Sequence, residues 1–176
     1  MTVRHEVHEE RDCYFRQCAT DDYSTIIEIQ GKIMIDLGNN EGLFVPTEND
    51  KIKEFFEQDD IYFICVQTPN GICAYSYTLF NDKTDYINVN FKNKKVATFD
   101  TVVVLPEFRG NKLQQKLLEI SCEEALKRNY DIVASIVSPD NIISINNFII
   151  NDFEILKIIK FKEYNRYIVY KKIRKC

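Results

Sequence analysis

The sequence predicts one α/β (α+β) domain, a mixed central sheet of about seven strands with about four helices. Three stretches carry that expectation. Val96–Leu105, a helix running to about Arg128, and Ile132–Val137 make a strand, a helix and a buried strand, the pattern of a parallel crossover unit. Ile61–Gln67 and Ile72–Phe80 flank Pro69-Asn70-Gly71, a strong turn signal, and read as an antiparallel hairpin. Glu154–Lys162 and Arg166–Ile173 alternate around Glu163-Tyr164-Asn165 and read as a second hairpin. So few helices among so many strands do not make a doubly wound parallel sheet.

The remaining elements follow in order. Tyr14–Ala19 is a short strand, and Thr20-Asp21-Asp22 supplies helix-capping side chains. Tyr23–Leu37 has Ile26, Ile29, Ile33 and Leu37 near helical spacing, and Gly38-Asn39-Asn40 stops it. Asn49 or Asp50 caps a helix over Lys51–Glu57 with Ile52, Phe55 and Phe56 as its apolar face. Asn81–Lys95 is polar, with a short strand expected at Tyr86–Asn90. Val102, Val103 and Val104 in succession imply a strand covered on both faces. Ser138-Pro139-Asp140-Asn141 is a turn and Ile142–Asn151 a short helix.

The chain has 176 residues, 45% of them apolar and 28% charged, which suits one domain, 1–176, with 1–12 as a flexible tail. A net charge of −4 with both signs interspersed argues against a nucleic-acid binder. No apolar run approaches the roughly 20 residues of a membrane span, and nothing at the start resembles a secretion signal. The expected location is the cytoplasm, with the six cysteines as thiols. No Cys/His spacing suits a metal site, and none is expected. The only histidines, His5 and His8, lie in the polar tail, which excludes a Ser-His or Cys-His nucleophile in the body of the protein.

The informative stretch runs from Val102 to Leu117. A buried strand ends at Pro106, and a loop with Arg109 and Gly110 opens a helix. Free amides at a helix N-terminus bind phosphate oxygens, a cation adds charge, and glycine admits close backbone approach. Without a ligand the same residues would be a plain strand-to-helix turn.

Pro106-Glu-Phe-Arg-Gly-Asn-Lys-Leu-Gln114 resembles the acyl-CoA pyrophosphate loop of GNAT N-acetyltransferases, Arg/Gln-x-x-Gly-x-Gly/Ala after an apolar strand. Lys112 and Gln114 stand where small residues are usual. Ser138-Pro-Asp-Asn141-x-x-Ser144-x-x-Asn147-Phe is similar to the family's Pro-Glu-Asn-x-x-Ser-x-x-Asn-Phe segment. The matches run from Phe99 to Ile173, and the element order extends the agreement over nearly the whole chain.

The resemblance implies a GNAT-type fold whose sheet splays between its fourth and fifth strands. Acetyl-CoA would lie in that notch against Val102, Val103 and Val104, with its pyrophosphate on Arg109, Gly110, Asn111, Lys112, Leu113 and Gln114. Asn141, and secondly Asn147, would hydrogen-bond the cofactor. The implied chemistry is direct attack of a primary amine on the thioester in a ternary complex. A backbone N–H at Val103 or Val104 would polarise the carbonyl. Asp100, where the family often carries a glutamate, is the expected base. The family's usual acidic tyrosine falls on Phe148, so Tyr164, Tyr170 or water is expected to protonate the leaving thiolate. The acceptor is a small-molecule or peptide amine, and a homodimer through the edge-prone C-terminal hairpin is a further expectation. Two alternatives remain: a catalytically silent acyl-CoA-binding or regulatory module, and an interaction domain that uses the fold without the cofactor.

Overall fold

β-Branched and aromatic residues populate the strands, and the apolar positions of the helices repeat at helical spacing. The computed structural model describes residues 5–6, 13–38, 40–80, 91 and 93–174. The strands are β1 (His5–Glu6), β2 (Tyr14–Gln17), β3 (Ile61–Thr68), β4 (Gly71–Leu79), β5 (Val96–Val104), β6 (Ile132–Val137), β7 (Glu154–Phe161) and β8 (Tyr164–Lys172). The helices are α1 (Tyr23–Leu37), α2 (Asn49–Phe56), α3 (Leu113–Lys127) and α4 (Ile142–Ile150). The short strand expected at Tyr86–Asn90, together with His8 and Cys176, lies outside the described residues.

These strands form one eight-stranded sheet in the order β1-β2-β3-β4-β5-β6-β8-β7. Setting aside the two-residue β1, among the described residues it has the seven strands expected, and four helices flank it. Among the described residues only β5 and β6 are parallel neighbours; the others run antiparallel. His5 and Glu6, from the stretch expected to be a tail, pair with Phe15 and Tyr14.

Side-chain alternation splits the core into two layers. On one face Ile26, Ile29 and Ile33 of α1 and Ile52 of α2 pack on Phe63, Tyr75, Tyr77 and Val103. On the other, Leu118 and Ala125 of α3 and Phe148 of α4 pack on Phe99 and Val133. Leu117 and Leu118 are fully buried, and burying each such side chain contributes about 1.5–3 kcal/mol. Cys65 and Cys73 are buried free thiols that pack as small apolar groups. Among the described residues no helix is long and apolar enough to cross a membrane.

Two irregularities position the site. The β5–β6 pairing ends after Thr98↔Ala134, while β6 stays paired to β8 as far as Val137↔Tyr167. The sheet therefore opens between β5 and β6, as the resemblance implied. On its other edge β5 carries a bulge: Tyr77 pairs Thr101 and Thr78 pairs Phe99, leaving Asp100 as an extra residue.

The last hairpin differs from expectation. Its turn is Lys162-Glu163, and β8 begins at Tyr164, which pairs with Phe161. Lys162 adopts φ 52, a left-handed backbone. Tight hairpins need that conformation and usually recruit glycine or asparagine for it, so a lysine gave no turn signal there.

Candidate active site

The opening of the sheet leads into a cleft of about 1110 Å³. One arm follows the gap between β5 and β6 to the start of α3. The other runs under the α1–α2 connection, past Thr47, Tyr77 and Asp100, to Lys162 and Arg166.

Strand chemistry shapes the first arm. The Leu105 amide donates to the Cys73 carbonyl at 3.0 Å. Antiparallel strands alternate the direction of their backbone groups, so the Val103 amide also faces β4. The amides and carbonyls of Val102 and Val104 face the opposite edge, where β6 has moved away. Of the two expected donors, Val104 fits and Val103 does not, and Val102 joins it.

At the end of β5, Pro106–Phe108 forms a single 3₁₀ turn and delivers Arg109. Gly110 has φ 84 and open space where a Cβ would stand. Lys112 has φ 57 and precedes α3 without giving it a side-chain cap. The first amides of α3 therefore stay available to an anion, which is the fit that a pyrophosphate requires. The two departures from the family pattern find reasons here. Lys112 supplies a left-handed turn that a small residue would adopt more easily. Gln114 donates to Ser144 Oγ at 2.9 Å and accepts from Asn147 Nδ2 at 2.8 Å, joining α3 to α4. Arg109 is held at 2.8 Å by Asp36 near the end of α1, with both side chains well exposed. Asn111 donates to the Phe108 carbonyl, and Leu113 is buried against Phe15 and Val66.

The two expected cofactor asparagines are committed to structure. Asn141 Oδ1 caps α4 by accepting from the Ser144 amide at 3.1 Å. Asn147 bonds Gln115 through Oδ1 and Gln114 through Nδ2. Asn141 keeps its Nδ2 without a partner among the described residues and lines the cleft.

In the second arm the bulge turns Asp100 to the α1–α2 face. Its Oδ2 accepts from Tyr77 Oη at 2.6 Å and from Thr101 Oγ1 at 3.2 Å. Tyr77 has one proton and gives it to Asp100, so Thr47 Oγ1, 2.6 Å away, donates to Tyr77. Gln30 fixes Thr47 through both its backbone groups, at 2.7 and 3.0 Å. Burial raises the Asp100 carboxyl above the ordinary carboxylate range, partly offset by these two hydroxyls and by Lys51. Burial also pushes the Tyr77 phenol well up, with the Asp100 charge adding to it. Gln30, Tyr77 and Arg166 had escaped the sequence reading. An amide on the apolar face of α1, at Gln30, was the one signal of this chain of bonds.

The two tyrosines expected to be acids do not reach the cleft. Tyr170 donates to Glu154 at 2.8 Å and packs at a tilt against Phe91. Tyr164 packs beneath Gly42, whose added Cβ would meet its ring at 3.3 Å. Neither lines the cavity. Phe148 does, buried between Phe99 and Phe153. Elsewhere, Cys18, Asp22 and Cys65 approach within 4.8 Å of one another, but Asp22 is already bound by the Arg16 guanidinium at 2.6 and 3.0 Å.

Residues 5–148 match the sequence profile of the acetyltransferase (GNAT) family. The chain belongs to that family. Solved GNAT-type structures agree in fold at low identity. A GNAT acetyltransferase from Streptococcus pneumoniae superposes with a TM-score of 0.73 at 12% identity, covering 93% of this chain and 100% of its own. An N-acetyltransferase from Staphylococcus aureus gives 0.73 at 13%, with 93% and 99% covered. The protein yncA of Salmonella typhimurium, solved with its cofactor acetyl-CoA, gives 0.70 at 15%, with 93% and 95% covered. No curated protein matches the sequence. The gap beside Val102 and Val104 is thus the splay of a GNAT fold.

Proposed function

We propose that this GNAT chain is a cytoplasmic acetyl-CoA-dependent N-acetyltransferase acting on a primary amine in a ternary complex. The observation that carries this is Asp100, displaced by the bulge into a cleft that also holds the open edge of β5.

Acetyl-CoA occupies the first arm, its pyrophosphate on Arg109 and the amides that open α3, displacing Asp36 from Arg109. The Val102 or Val104 amide donates to the thioester carbonyl and stabilises the charge that develops there. The acceptor enters the second arm as an ammonium ion, and Asp100 takes one proton, directly or through water. The freed lone pair attacks the carbonyl carbon, the C–N bond forms and the C–S bond breaks. The surplus proton on nitrogen passes through water to the sulfur, and Asp100 releases its own to solvent. Tyr164 and Tyr170 take no part. A thiol of pKa about 8.5 leaves without a strong acid, which accords with an apolar Phe148. A homodimer along the β7 edge completes the proposal, supported by the exposure of Ile155 and Ile158 there.

Calorimetric titration with acetyl-CoA, beside thiol release with a broad amine panel, tests this. Micromolar binding, lost in an Arg109→Ala/Gly110→Pro variant, and turnover with any amine are expected. Binding without turnover across the panel would favour a silent acyl-CoA-binding module. No binding would leave only the fold.

A further inference from the structure

The second arm holds a cation that the chemistry above does not use. Arg166 is only 5% exposed, yet it forms part of the cleft wall. Its Nη1 donates to the Asn165 carbonyl and its Nη2 to the Gly42 carbonyl, each at 2.8 Å. Both partners are neutral. Among the described residues no carboxylate pairs with it, and Asp140 acts on it only from a distance. A guanidinium stays ionised in proteins, so burying one without a counter-ion is costly. Its remaining N–H groups take no partner among the described residues, and none of its nitrogens is both sealed and unpaired. The Tyr164 ring lies 5.1 Å from the guanidinium carbon and steadies it.

A second cation shares this wall. Lys162 lines the same cleft from the β7–β8 turn, at the left-handed position where glycine would be the easy choice. The reacting end of the arm carries the opposite charge at Asp100. An acceptor that fits both ends presents its nitrogen to Asp100 and an anion to Arg166. The planar guanidinium fork matches a carboxylate in bidentate fashion.

Resting on the acetyltransferase assignment proposed above, we infer that the acceptor is an amino acid or related amine bearing a carboxylate, which Arg166 binds with Lys162 beside it. Arg166 and Lys162 are then specificity-determining residues.

The test uses the full chain with acetyl-CoA and a thiol-release assay. The acceptors are amino acids with two to six carbons between amine and carboxylate, each paired with its carboxamide and its phosphonate, plus uncharged alkylamines. At least one amino acid should exceed its carboxamide in kcat/KM by about tenfold or more, chiefly through KM. Arg166→Gln should bring that ratio close to one, and Arg166→Lys should restore part of it. Should Arg166→Gln fail to fold, Lys162→Gln and the wild-type ratio decide. Carboxamides or alkylamines used as well as amino acids, or phosphonates preferred, would overturn the inference while leaving the acetyltransferase assignment standing. So would an Arg166→Gln variant that slows both members of a pair equally, because Arg166 would then only strap the Gly42 loop. Failure of every amine, with acetyl-CoA unbound, would sink both.

Discussion

Asp100 is held by two effects of opposite sign. Burial favours its neutral form, while the hydroxyls of Tyr77 and Thr101 favour the carboxylate, and burial dominates. As the base proposed above, Asp100 gains strength from its raised pKa but must be ionised to act, so kcat/KM should climb as pH rises through that pKa. Asp100→Asn should lower kcat by about 10²–10⁴-fold and abolish the acidic limb of the pH profile, with acetyl-CoA binding retained in calorimetry. The same shift has a stability consequence. Because folding raises the pKa, the folded state binds the proton more tightly than the unfolded chain. Ionised Asp100 therefore costs stability above its raised pKa, and the cost fades below the ordinary carboxylate value of about 3.9. Asp100→Asn should melt higher than wild type at pH 8, with the gain shrinking towards pH 4; thermal melts at both pH values check it. Asp100 was singled out through the resemblance, at a strand position where the family often carries a glutamate. Its partners were not, because Tyr77 and Thr47 reach it from positions distant in sequence.

The start of α3 shows how an element can satisfy a motif with atypical residues. Lys112 supplies the left-handed turn at φ 57, and a side chain in that conformation costs about 1–2 kcal/mol relative to glycine's freedom. Lys112→Gly should stabilise the protein by up to about 1 kcal/mol in urea unfolding, with acetyl-CoA still bound through the backbone. The helices and inner strands were readable because apolar periodicity marks them: Ile26, Ile29 and Ile33 in α1, the valine run in β5. The β7–β8 turn was not, because Lys162 hides a positive φ behind an ordinary surface residue. The bulge was equally invisible, since Phe99, Asp100 and Thr101 give no local sign of which one is extra.

Across the described residues, the mixed sheet and its four helices follow from element order, and the splay follows from the family likeness. What the chain does with its outer edge follows from neither. Among the described residues β7 ends the sheet and exposes Ile155 at 44% and Ile158 at 54%, apolar positions for a second copy to cover on an edge that also carries Lys157, Lys160 and a register shift. Sedimentation equilibrium should give twice the 20.8 kDa chain mass, and Ile158→Lys should give a monomer with its fold intact. A wild-type monomer at micromolar concentration would refute the dimer.

The bulge also bears on how such a site can come and go. Phe99 and Val102 face α3 and α4, while Thr101 lies opposite Tyr77 on the other side of the ladder. Without residue 100 those three neighbours would alternate in perfect pleat, and every pairing on either side could be kept. The base proposed here is thus a single extra residue in an otherwise regular strand. One codon lost would remove the proposed base and leave a well-formed GNAT fold, and one codon gained would restore it.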